Sequence, residues 1–324
     1  MQLGRKLQNR LIASVLFGLL VYIALAIFGD VKSVAASLKE FDWIALPAIF
    51  LLALLNYALR FLRWAYYLRV LSIRLPLNES VTIFMSGLAM SISPGKMGEI
   101  VKSYFLKQTT GTPIRRSVSI VFAERFTDFA AIVILAAVGA FSFQYGQKVI
   151  WAAATVTLVT LLVVMIRPLA VRAINLVSRL PRLRRIGGKL HDVYENAYTL
   201  LGSRHLLVAL ALGIASWFCE CVGYLITAKA LGFDMSLWTA TFIYAFSTLF
   251  GAITLLPGGL GTTEGSLTGL AIVEGMPRDA AAAATIVIRV ATLWFAVALG
   301  LLWMARNRDR LIPDRATMES EMDG

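Results

Sequence analysis

LPGGLGTTEG, residues 256–265, breaks an otherwise apolar run from 237 to 275. A proline and four glycines in ten positions cannot continue a helix cheaply. A second run, 79 to 107, is broken the same way by SPGKMGE, residues 93–99. Each is read as a broken-helix hairpin that enters the membrane and turns back. Around them lie six uninterrupted apolar runs, near 11–29, 43–63, 117–141, 149–166, 205–230 and 280–304. Each approaches the ~20 residues that a hydrocarbon slab of ~30 Å demands of a helix. The expected fold is an all-α polytopic membrane protein, with about six full transmembrane helices plus two re-entrant broken-helix hairpins in an inverted repeat.

Composition agrees. Hydrophobic residues make up 58% of the 324 positions and charged residues 15%, with a mean hydropathy of +0.74. Soluble domains hold roughly 45–50% and 25% of these classes. The chain is read as a single integral membrane domain over 1–324, with repeat one at about 43–141, a surface linker at about 167–204 and repeat two at about 205–305. Arg5, Lys6 and Arg10 precede the first run with no small-residue cleavage site ahead of Asp30, so an uncleaved first helix is expected.

The net charge of +12 does not point to nucleic acid, because the basic residues are spread along loops rather than gathered into a groove. They sort by side instead. With both termini cytoplasmic, 24 of the 31 Lys and Arg residues fall in inside loops and helix ends and 5 outside, the pattern favoured for a multi-pass protein of the cell membrane. The segment from about 168 to 204 is rich in basic residues, which suits a stretch lying on anionic headgroups or a solvated connector.

The inverted repeat rests on spacing. Arg125 follows Pro94 by 31 residues and Arg289 follows Pro257 by 32, each in the span after its hairpin. On the charge-derived topology the two units run in opposite directions, an architecture that lets one central site face either side of a membrane. Backbone groups freed at the breaks have no water in lipid, so they imply a protein-lined or wet cavity.

Candidate functional residues are the charges inside these elements. Arg125 and Arg289 sit ~12–14 Å from the nearer helix end. A charge at the bilayer centre costs about 2.5–3.5 kcal/mol on the insertion scale, so each needs a partner. Glu124 and Asp128 are near Arg125 in sequence; Glu264, Glu220 or a lipid phosphate are candidates for Arg289. Lys96, Glu99 and Lys102 follow the first break. The helix-break residues Pro94, Gly95 and Gly98, and Pro257, Gly258, Gly259 and Gly261, permit turns. Amides near Gly98 and Gly261 start half-helices and could face an anion. Arg60, Arg63 and Trp64 are placed where the second span meets the cytoplasm, as interface anchors or a headgroup dock.

Catalysis has little support. His191 and His205 lie in or beside the surface segment, no nucleophile adjoins a base, and no metal-ligand spacing occurs. Neither break ends in the GK[ST] of a nucleotide loop. Cys219 and Cys221 read as core residues rather than a disulfide or metal pair. No cofactor and no catalytic residue is expected.

RFLRWAYYL, SPGKMGEIVKSYFLK, ERFTD, LPGGLGTTEG and the arginine-bearing last span, in this order, resemble the transmembrane flippase-like domain of the lysylphosphatidylglycerol synthases and its free-standing relatives. The resemblance covers nearly the whole chain. It implies a domain that moves an anionic-headgroup lipid, whether phospholipid, aminoacyl-lipid or polyprenyl-phosphate-linked lipid, between leaflets without the synthases' aminoacyl transferase activity. It also implies a central cavity built by the two breaks with Glu124, Arg125 and Arg289. The expected partners are membrane lipids, with a lipid synthase as a further candidate. Two other function classes stay open on the sequence: a membrane-embedded lipid-modifying transferase, and a scaffold recruiting a lipid or cell-envelope synthase through segment 168–204.

Overall fold

The computed structural model describes residues 2–93, 101–141, 155, 171–172 and 197–307, and its ordered elements are helices. In chain order they are α1 (Gln2–Phe28), α2 (Val31–Glu40), α3 (Leu46–Val70), α4 (Leu77–Ala89), α5 (Val101–Thr110), α6 (Ile114–Ala140), α7 (Ser203–Ala230), α8 (Leu237–Ile253), α9 (Thr262–Val273), α10 (Arg278–Arg289) and α11 (Phe295–Arg306). The expected span at 149–166 and most of the 168–204 segment lie outside the described residues, as do Pro94, Gly95, Lys96, Gly98 and Glu99.

The molecule is apolar outside and charged within. Leu51, Leu207, Ile253 and Leu302 are more than 60% exposed, whereas Asn56, Arg63, Lys102, Glu124, Asp128, Glu264 and Arg289 are buried. A surface of this kind is solvated by lipid. Three helical stretches, Trp43–Val70, Ser203–Ala230 and Arg278–Arg306, are long and apolar enough to cross a membrane. The 27-residue α6 matches them in length but carries Glu124, Arg125 and Asp128 in its middle. The protein is an all-α polytopic membrane protein.

Both expected hairpins are present as broken helices. Arms α4 and α5 pack against each other, as do α8 and α9. The element boundaries follow local chemistry. Past Val70 the chain leaves α3 with Ser72 at φ 54°, and the Ile73 amide donates back to the Leu68 carbonyl at 2.9 Å. Past Ala230 it leaves α7 with Gly232 at φ 77°, and the Phe233 amide donates to the Ala228 carbonyl at 3.1 Å. These are left-handed helix stops of one kind. The following arms begin at Pro76 and Ser236, so the link after the first helix has the same length in each half.

The halves also exchange contacts. α3 packs along α7, while α6 lies on α8 and α11 lies on α4. Glycine makes the last two contacts close. A Cβ on Gly139 of α6 would fall 2.6 Å from the Phe242 amide nitrogen of α8. One on Gly300 of α11 would fall 2.7 Å from the Met85 carbonyl of α4. Small residues are how membrane helices approach, since lipid offers no hydrophobic force between them. Ala280 to Ala284 serve α10 in the same way and are all buried.

Two features differ from the expected layout. The chain turns by 93° after Phe28 into α2, whose N-cap Asp30 accepts from the Ser33 amide at 3.0 Å. Helix α2 then docks on α10, with the Ser37 hydroxyl donating to Asp279 at 2.5 Å. The last span is also not a uniform α-helix: Val290–Trp294 forms a π-turn directly after Arg289. Such turns are frequent at functional sites.

Candidate functional site

The second break is built by glycine. Gly258, Gly259 and Gly261 have φ of 59°, 69° and 86°, a region costly for side chains with a Cβ. This turn presents one carbonyl to an arginine and one amide to a glutamate, and the two side chains bond each other. Arg289 donates through Nε to Glu264 Oε1 at 2.6 Å and through Nη2 to the Gly258 carbonyl at 2.8 Å. The other carboxylate oxygen of Glu264 accepts from the Gly261 amide at 2.7 Å. The anion at the N-terminus of α9 is therefore the protein's own carboxylate, where the sequence left that amide open to a ligand. Of the sequence candidates for Arg289, Glu264 holds it.

The other hairpin is pinned by a pair of reversed polarity. Lys102 of α5 donates to Glu124 of α6 at 2.6 Å, and both side chains are under 5% exposed. In repeat two the hairpin supplies the acid and the next helix the base; in repeat one the hairpin supplies the base. The Lys102 ammonium lies 4.8 Å from the Trp64 ring centroid and 5.8 Å from that of Phe84. Its stem lies against Gly87, where a Cβ would meet Lys102 Cγ at 3.1 Å.

Asp128 gathers the remaining guanidinium groups. Arg63 donates to Oδ1 at 2.6 Å, the Trp217 indole donates to the same oxygen at 3.1 Å, and Arg125 reaches Oδ2 at 2.9 Å. Arg60 stands 4.0 Å from Oδ2. The placement of Arg63 and Trp64 at an interface is corrected here: α3 runs on to Val70, and both residues are almost fully buried. Arg60 also faces inward, 6.0 Å from the Trp217 ring centroid.

These groups border a cavity of about 300 Å³. Its wall includes Arg60 of α3, Arg125 and Asp128 of α6, Glu220 of α7 and Arg289 of α10, so both halves contribute charge. Glu220 accepts from the Tyr244 hydroxyl at 2.7 Å. Tyr57 donates to the Thr292 carbonyl at 2.5 Å, at the π-turn. Leu255 and Leu256 are also in the wall and are 66% and 37% exposed, so the cavity reaches the surface beside hairpin two. Phe250 and Ile253, just before them on α8, are exposed too.

A family model described as the lysylphosphatidylglycerol synthase TM region matches residues 12–300, from α1 to Gly300 of α11. The chain belongs to that family. Two UPF0104 membrane proteins of Methanothermobacter thermautotrophicus resemble this family member at 24% identity over 312 and 307 residues. Those alignments cover 89% and 88% of the chain and 92% and 90% of the relatives. A UPF0104 membrane protein of Methanocaldococcus jannaschii is 24% identical over 221 residues, 65% of this chain and 91% of its own.

In this lysylphosphatidylglycerol synthase TM-region protein, the structure brings Arg60, Arg125, Asp128, Glu220 and Arg289 to one cavity, with Glu264 directly behind Arg289. Among the described residues it keeps Lys102 and Glu124 away from that wall, sealed under Trp64. Tyr57, Trp217, Tyr244 and Thr292 line the cavity and were not singled out in the sequence. The available signal was a polar-tipped side chain inside an apolar run, a pattern that interfacial aromatics share.

Proposed function

We propose that the protein is a lipid translocase that passes an anionic, phosphate-bearing headgroup through this cavity while the acyl chains stay in the bilayer. One observation carries the reading: arginines from three helices border a cavity whose rim at Leu255 and Leu256 is apolar and exposed. A headgroup fits the charged interior, where guanidinium groups bond phosphate oxygens in pairs. Chains fit the rim, where they lose no apolar contact. A cavity shared between the two halves also suits alternating exposure of one site. The basic-residue distribution supports a cell-membrane protein with both termini cytoplasmic.

The test is leaflet exchange in reconstituted vesicles. Fluorescent phosphatidylglycerol and phosphatidylcholine are reduced from outside by dithionite, and the protected fraction is followed. Phosphatidylglycerol is expected to exchange faster. Arg60→Gln should slow it about tenfold or more, one charge-assisted bond's worth, while Arg63 and Arg125 continue to hold Asp128. Equal exchange of both lipids, or undiminished exchange by that variant, would refute the proposal.

A further inference from the structure

We infer that the anion itself unlatches hairpin two, so that the break at Pro257–Gly261 opens only when a negatively charged group reaches Arg289. This rests on the translocase reading and adds which part moves and what releases it.

The two hairpins are pinned by single buried ion pairs, but the pins differ in access. Arg289 borders the cavity, and its partners are the break itself: the Gly258 carbonyl and the Glu264 carboxylate that caps Gly261. Nε and one Nη2 hydrogen of the guanidinium are taken by Glu264 and Gly258. A phosphate that bonds the remaining N–H groups from the cavity competes with Glu264 for the positive charge and draws the guanidinium away from the turn. What it displaces is the contact that ties α10 to the turn. Further bonds of the turn stay inside hairpin two and travel with it: Gly259 to Leu256, Leu260 to Pro257, the Thr262 hydroxyl to the Gly259 carbonyl, and the Thr254–Thr262 hydroxyl pair that joins its two arms. Its far side is covered by α1, where Gly18 lets Leu260 and Trp294 approach and Tyr22 accepts from the Trp294 indole at 2.6 Å.

The pin of α5 offers no such handle. Lys102 and Glu124 are sealed from the cavity by position and roofed by Trp64 and Phe84, so an anion in the cavity meets neither. Reversed polarity adds to the difference. The cavity-facing member of the repeat-two pin is the cation, the partner that an anion takes. Charge selection then comes from the gate as well as from the cavity: a neutral lipid gains entry to nothing because it cannot exchange with Glu264. Glu264 is a positioning residue in this scheme, holding Arg289 until the exchange.

Hydrogen–deuterium exchange on the full-length protein in nanodiscs tests this, with dihexanoyl phosphatidic acid as probe and dihexanoylglycerol, which lacks the phosphate, as control. Ligands ordinarily protect the amides they touch. Here the peptide spanning 256–265 is expected to exchange at least about tenfold faster with the phosphatidic acid, the shift expected for loss of one charge-assisted bond. The peptide spanning 101–110 should stay unchanged, and dihexanoylglycerol should do nothing. Arg289→Gln should show the fast 256–265 exchange without any probe and no further response. If that variant does not fold, the wild-type response decides alone. Protection or no change at 256–265 with bound phosphatidic acid, or equal deprotection at 101–110, overturns the inference. Leaflet exchange is scored separately: translocation without unlatching refutes the gate, and unlatching without translocation refutes the translocase reading while the gate stands.

Discussion

Replacing Glu124 with glutamine should cost more than replacing it together with its partner. In the native chain Lys102 Nζ and Glu124 Oε2 are 2.6 Å apart, with side chains 4% and 3% exposed. Glu124→Gln keeps the shape of the side chain but leaves the buried ammonium without a counter-ion, facing a neutral amide and the faces of Trp64 and Phe84. Removing one partner of such a pair costs about 3–5 kcal/mol, whereas apolar replacement of both is often neutral or stabilising. Lys102→Met preserves most of the stem beside Gly87 and gives up a cation–π contact of about 1–2 kcal/mol. The double variant Lys102→Met/Glu124→Gln leaves no buried charge, only a neutral amide, so it should be more stable than Glu124→Gln alone, and the coupling energy of the cycle should exceed about 2 kcal/mol. At a few degrees per kcal/mol, Glu124→Gln should lower the unfolding temperature on the order of 10 °C. Cys219 and Cys221, both free and buried in α7, supply the assay: a thiol-reactive dye reports their exposure on heating in detergent. Additive losses in the double variant would refute the claim that the two charges stabilise each other.

Gly300→Ala and Gly139→Ala should each destabilise by about 1–3 kcal/mol, because the new methyl meets backbone in α4 or α8 that cannot give way. Gly269→Ala, where nothing lies within 4 Å, should hold or gain up to ~1 kcal/mol by the same dye assay. Asp128→Asn removes the counter-charge shared by Arg63 and Arg125 and turns one accepting oxygen into a donor; it should cost about 3–5 kcal/mol and abolish leaflet exchange. Tyr57→Phe removes one of two donors to the Thr292 carbonyl, which still accepts from the Phe295 amide, and should cost about 0.5–1.5 kcal/mol, seen as a lower unfolding temperature.

Local chemistry made much of the fold legible. The glycines of LPGGLG announced the second break because three of them adopt φ values that other residues avoid. The helix stops after α3 and α7 are of one kind, a parallel between the halves, whereas Pro94 lies outside the described residues and Arg125 pairs within its own helix while Arg289 pairs with its hairpin. What escaped the sequence reading depends on contacts between distant segments. Arg63 read as an interface anchor because its partner Asp128 is 65 residues away and sits on another helix. Glu124 and Asp128 share one face of α6 a turn apart, yet the neighbours at those two levels differ: Glu124 meets Lys102, while Asp128 meets Arg63 and Arg125. The π-turn after Arg289 has no residue signature, since VATLW continues a helix as readily as it widens one. The turn into α2 was missed because Gly29-Asp30 is also an ordinary loop sequence.

The crossed contacts of Gly139 and Gly300 set a timetable for assembly. Ala89 and Gly300 meet in the finished protein but are separated by roughly 210 residues of synthesis, about 10–40 s at ribosomal rates of ~5–20 residues per second. Throughout that interval the groove on α4 has no α11 to fill it. The first half of the nascent chain must wait in the bilayer, or beside the insertion machinery, for the last helix to arrive.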